Sequence, residues 1–141
     1  MSDFDPILAP IIVLVLWTFF VQGWMAITRL PAMNKAKLNP QKAERTADLG
    51  GLLPKQVQWK ADNYNHLMEQ PTIFYATALA WALIGTGGGI NLTLAWVYVG
   101  VRVVHSLVHA TINKVMLRFS LFAISSVALL VMAINAALVV L

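Results

Sequence analysis

Four long apolar runs separated by polar stretches organise this chain. The first, at 6–27 (PILAPIIVLVLWTFFVQGWMAI), is close to the ~20 residues that cross a hydrocarbon core, and Pro10 falls in its first turn, where a missing N–H is tolerated. A polar stretch follows from Arg29 to Asn63, punctuated by Pro31, Asn39-Pro40 and Gly50-Gly51, and reads as the one long loop. Pro54 is placed to open the second helix, 54–84. That helix is polar at first (KQVQWKADNYNHLMEQ) and apolar afterwards (PTIFYATALAWALI), so it is expected to project from the membrane before entering it. Pro71 should free the Leu67 carbonyl and kink it at the change of character. Thr86-Gly87-Gly88-Gly89 predicts a tight uncharged turn. The third span, 91–113, is interrupted by Arg102, His105 and His109, and a short hairpin leads to the fourth, 118–140. The predicted fold is all-α: an integral membrane four-helix bundle in a single domain, 1–141.

Composition supports lipid as the solvent. Of the 141 residues 59% are hydrophobic and 11% charged, less than half the roughly 25% charge of a soluble domain, and the mean hydropathy is +0.71. The absence of cysteine excludes disulfides and thiolate metal sites, so thiol chemistry requires a thiol carried by a small molecule. No basic stretch precedes the first run and no small-residue cleavage site follows it, so it is expected to be retained as a helix. The formal charge of +4 does not point to nucleic acid, because the basic residues sit beside the spans. Arg29, Lys35, Lys37, Lys42, Arg45, Lys55 and Lys60 lie between spans 1 and 2, and Lys114 and Arg118 between spans 3 and 4. The positive-inside rule puts both basic loops in the cytoplasm and both termini outside.

The chemistry lies on two helices. Arg102, His105, Ser106, His109 and Asn113 fall at i, i+3, i+4, i+7 and i+11, one stripe of a 3.6-residue helix. Asp62, Asn65, His66 and Glu69 make a second stripe on helix 2, and two such stripes are expected to face each other inside the bundle. A central Arg costs ~2.5–3.5 kcal/mol on the insertion scale, so Arg102 needs a partner. Glu69 is the acidic residue nearest an apolar span, and the pattern predicts a Glu69–Arg102 ion pair, which serves either as helix glue or as part of a ligand site. Arg118 reads as a topology marker or a site residue. His105 and His109 have metal-ligand spacing, with Glu69 or His66 to complete a set, but HxxxH alone is a weak signal and no metal is expected. No Ser-His-Asp arrangement, Walker loop or dinucleotide fingerprint is present.

The Asn39-Pro40 loop, the HLMEQP segment with Glu69 before Pro71, RVVHSLVH from Arg102 to His109, and Arg118 thirteen residues after His105 together resemble the MAPEG family, the membrane-associated proteins in eicosanoid and glutathione metabolism. The chain looks like a divergent bacterial-type member, and the resemblance covers nearly all of it. It implies a homotrimer in a bacterial inner membrane, with glutathione as co-substrate between neighbouring subunits near the cytoplasmic face. It makes Arg118 the candidate catalytic residue, stabilising the glutathione thiolate. Asn65, His66, Glu69, Arg102, His105 and His109 become the candidate glutathione contacts.

The pattern also departs from the family's eicosanoid-forming members. Asp62 and Asn65 stand where they carry arginines on helix 2, His66 replaces an Asn, His109 a Tyr and Phe119 a Ser. A tripeptide with two carboxylates meets fewer cations and hydroxyls here, which argues against eicosanoid synthesis. The implied function is a membrane glutathione-dependent transferase or peroxidase acting on lipophilic electrophiles. The alternative is a non-catalytic protein of this fold whose polar site binds a lipid or anion or is purely structural. A channel would need a continuous polar path, for which helices 1 and 4 supply little beyond Gln22 and Asn135.

Overall fold

A computed structural model describes residues 3–42, 44–85 and 87–141; Thr86, which opens the expected glycine turn, lies outside the described residues. Five α-helices account for most of the chain: α1 Leu8–Lys35, α2 Lys55–Leu67, α3 Pro71–Ile84, α4 Gly89–Thr111 and α5 Val115–Val140. No strand occurs among the described residues. The fold is all-α, and α1, α4 and α5 are each long and apolar enough to cross a membrane.

Contacts at the two ends of the bundle fix the course of the chain. The Asp5 carboxylate accepts hydrogen bonds from the Ile7 N–H at 3.0 Å and from the Gly87 N–H at 3.2 Å, which ties the start of α1 to the α3–α4 turn. A Cβ at Gly87 would collide with this carboxylate and with Ile7 Cγ2, so a side chain there would displace the tie. Asn135 near the end of α5 donates to Asn91 near the start of α4 at 3.2 Å, at the same end of the bundle. At the opposite end the Lys60 ammonium reaches the Ala110 carbonyl, at 3.4 Å. The helices thus alternate in direction, and α3 makes the remaining crossing with no charged residue among its 14. At about 1.5 Å per residue α3 is only about 21 Å long, so the end of α2 must contribute to that traverse.

Side chains from all four crossings meet in the core. Leu14 and Val21 of α1, Phe74 and Trp81 of α3, Tyr98 and Val99 of α4 and Met132 of α5 are buried together. The Phe74 and Tyr98 rings stack at 4.4 Å, and the Trp81 indole N–H is satisfied by the Met132 carbonyl at 3.2 Å. Ile12, Leu16 and Phe20 on α1 and Val127, Leu130 and Leu138 on α5 are exposed. Such outward apolar faces suit lipid and would be out of place in water.

Four helix limits differ from the sequence expectation, one being the start of α5, which begins at Val115 and not at 118, so that Arg118 lies within the helix and not in the hairpin. Helix α1 continues past residue 27 to Lys35, with Pro31 inside it. Pro31 is exposed, so water at the membrane boundary can satisfy the Ile27 carbonyl that the ring leaves without a partner. The loop after α1 is correspondingly shorter, and Met33, Leu49 and Leu53 form a small buried cluster beneath it. The expected single helix from 54 to 84 is instead two helices, because α2 stops at Leu67 and Pro71 takes the first position of α3. Helix α4 stops at Thr111, and Asn113 adopts a left-handed φ of 47°.

Candidate functional site

The α4 stripe is buried as its spacing requires: Arg102 is 0% exposed, and His105, Ser106 and His109 are also buried. The α2 stripe is not the one read from the sequence. The buried polar residue of α2 is Asn63, whose amide donates to the Ser106 hydroxyl at 2.7 Å. Asn63, His66, Leu67 and Gln70 follow one another at i, i+3, i+4 and i+7 and form the inner side. Asp62, Asn65 and Glu69 are exposed on the outer side.

This rearrangement removes the expected Glu69–Arg102 pair. Glu69 shares the outer side with Asp62 and Asn65, where its side chain is 70% exposed and lies 3.5 Å from His66 Nδ1. Gln70 takes the inward place, accepting from the Tyr98 hydroxyl at 3.3 Å and donating to Ser126 at 2.8 Å. Arg102 donates from Nη2 to the His66 carbonyl at 3.5 Å and lies 5.8 Å from the centroid of the Phe122 ring. Its Nε and Nη1 make no hydrogen bond among the described residues. A bond of that length is at the weak limit, and a cation–π contact contributes up to about 2 kcal/mol when desolvated. Arg102 is therefore only partly compensated by its own chain.

Three imidazoles gather beside it. The His66 ring lies 5.0 Å from His105 and 6.1 Å from His109, and His105 lies 5.9 Å from His109. These histidines, with Val115, Arg118, Phe119 and Phe122, line a cavity of about 230 Å³. Arg118 enters from the first turn of α5, and its Nη1 donates to Asn113 Oδ1 at 2.7 Å. Arg102 lies behind the His66 and Phe122 rings and does not line the cavity, and neither do Asn65 and Glu69.

The cavity thus combines one arginine, three imidazoles and an apolar wall at the loop end of an apolar helical bundle. The MAPEG family profile matches residues 7–138. The chain belongs to the MAPEG family. No curated protein and no solved structure matches it. In this MAPEG protein, four of the seven sequence candidates, His66, His105, His109 and Arg118, share one cavity, and Asn65, Glu69 and Arg102 stand outside it. Among the described residues, no group of three His, Cys, Asp or Glu side chains is disposed to hold a metal ion.

Sequence reading missed Asn63, Gln70, Tyr98 and Phe122. The i, i+3, i+4, i+7 pattern of Asn63 to Gln70 was available, but it was outweighed by the charges of Asp62 and Glu69 on the neighbouring face. A double-mutant cycle checks the rearranged site in detergent melts. Glu69→Gln and Arg102→Met should show a coupling below about 0.5 kcal/mol, whereas Asn63→Ala, which strands Ser106, should cost about 1–3 kcal/mol. A coupling of several kcal/mol would restore the direct ion pair.

Proposed function

We propose that this integral membrane protein is a glutathione-dependent transferase or peroxidase acting on lipophilic electrophiles. The observation that carries the reading is Arg118 on the wall of a half-apolar cavity, with Nε buried and unpaired among the described residues. Membership of the MAPEG family, which contains glutathione-dependent transferases and peroxidases as well as non-catalytic members, supports it.

The residues fit a thiol-bearing anion. Glutathione would supply the nucleophilic sulfur that this cysteine-free chain lacks. The Arg118 guanidinium would favour the ionised thiol, as a neighbouring cation favours any anion. Val115, Phe119 and Phe122 would exclude water from the reacting end and admit an apolar electrophile. His105 and His109 carry Nδ1 atoms with no partner among the described residues, available to a polar group of the peptide. Arg102 would act from behind His66 as a fixed positive charge, not as a direct contact.

A homotrimer belongs to this reading. Asp62, Asn65 and Glu69 stand exposed on the flank of α2, next to the apolar α3. Polar groups on the flank of a membrane bundle are costly unless covered, and a closed ring of subunits would cover them. A bacterial inner membrane also belongs to this reading, and the distribution of Lys and Arg supports an orientation with both termini outside and the basic loops cytoplasmic. A second reading is a non-catalytic binder of a lipid or other anion. It is favoured by the imidazoles of His66 and His109 in the cavity and by the outward course of Asp62, Asn65 and Glu69.

Turnover separates the two readings. Wild-type protein should conjugate glutathione to a reactive aryl halide, and Arg118→Ala should lower the rate by about 10²-fold, as expected for one preorganised charge donor. Absence of turnover in the wild type, with an anion still bound, would favour the non-catalytic reading. The orientation has its own check. Against the cysteine-free background, a cysteine at Gly88 should react with an impermeant reagent on intact cells and one at Gln41 should not; the opposite pattern would invert the assignment.

A further inference from the structure

The junction between α4 and α5 reverses the chain over Ile112, Asn113 and Lys114. Asn113 makes the reversal possible by adopting a φ of 47°, with its N–H bonded to the Val108 carbonyl at 2.7 Å. Glycine is the usual residue at such a helix end, and asparagine is the side chain that tolerates it next best. The turn itself therefore needs no side chain at this position. The one present is nonetheless engaged: its carboxamide oxygen accepts from Arg118 Nη1 at 2.7 Å.

Arg118 has physical reasons to leave the cavity. It sits in the first turn of α5, where the helix dipole disfavours a cation, and it follows the exposed Val115, Met116 and Leu117 at the end of the bundle that carries Lys60 and Lys114. A long basic side chain in that setting snorkels toward water. The bond to Asn113 opposes this by holding one edge of the planar guanidinium fork. Nε, on another edge, is buried and without a partner among the described residues. Because a carboxamide carries no charge, it orients the cation without discharging it.

We propose that Asn113 is the positioning residue for Arg118, fixing the guanidinium at the cavity wall with its positive charge intact for an anionic ligand atom. The role in turnover rests on the glutathione reading above; the placement of Arg118 does not.

Two variants test it. Asn113→Gly keeps the left-handed backbone and removes the acceptor, and Asn113→Asp keeps an acceptor and adds a negative charge. Phenylglyoxal modification of Arg118, followed by peptide mass spectrometry without glutathione, should be several-fold faster in Asn113→Gly than in wild type and no faster in Asn113→Asp. The pH profile of aryl halide conjugation should move up by about one unit in both variants, a roughly tenfold loss of rate on its acid side, with melting temperatures near that of wild type. Equal phenylglyoxal rates in wild type and Asn113→Gly would overturn the proposal whether or not the protein turns over. Faster modification with an unmoved pH profile would overturn the electrostatic part. If the wild type conjugates nothing, the glutathione reading fails, and the phenylglyoxal comparison still decides the placement of Arg118.

Discussion

Arg102 is fully buried in an apolar bundle, and the nearest carboxylate points away from it. A guanidinium at such a position costs about 2.5–3.5 kcal/mol or more, and the groups that surround it lower that cost only in part. The His66 carbonyl, the face of Phe122 and the Tyr98 hydroxyl one turn away on α4 form that surround. Tyr98 is in turn bonded to Gln70, and Gln70 to Ser126, so the surround reaches from α4 through the α2–α3 junction to α5. The same charge sets the electrostatic background of the histidine cluster on the cavity side of His66.

The chain breaks between α2 and α3 beside this arrangement. A continuous helix through Pro71 would set the proline ring against the Leu67 carbonyl. Ending α2 at Leu67 and restarting at Pro71 puts the proline in the first turn of α3, where its missing N–H is tolerated. It also leaves the His66 carbonyl accessible to Arg102, though that oxygen already accepts the Glu69 N–H at 3.3 Å. The outcome is a polar interior of neutral acceptors around one cation, with the carboxylate displaced to the flank.

The parts of this structure that repeat along the chain were readable in its sequence. Hydropathy located α1, α4 and α5, and the helical period grouped Arg102, His105, Ser106 and His109 on one face. What failed to read were the places where the period breaks. Asn113 fits the α4 stripe by arithmetic, yet it has left the helix and faces Arg118 from the turn. Pro31 looks like a helix stop, but an exposed proline near the water boundary costs the helix only one solvated carbonyl. Glu69 and Arg102 suit each other by charge, but burial of Asn63, His66 and Leu67 sets the inner face of α2 and leaves Glu69 on the outer one. Local propensity does not report which side of a turn a residue will leave from.

The cavity joins these elements: histidines from α2 and α4 on one side, Arg118 with its Asn113 tether on another, and Val115, Phe119 and Phe122 as an apolar wall. Its proposed use requires a thiol-bearing anion to bind there. Isothermal titration of the detergent-solubilised protein with glutathione is the most direct measurement. A saturable heat at up to millimolar ligand, abolished by Arg118→Ala, is expected; no heat at millimolar glutathione would contradict the proposed function.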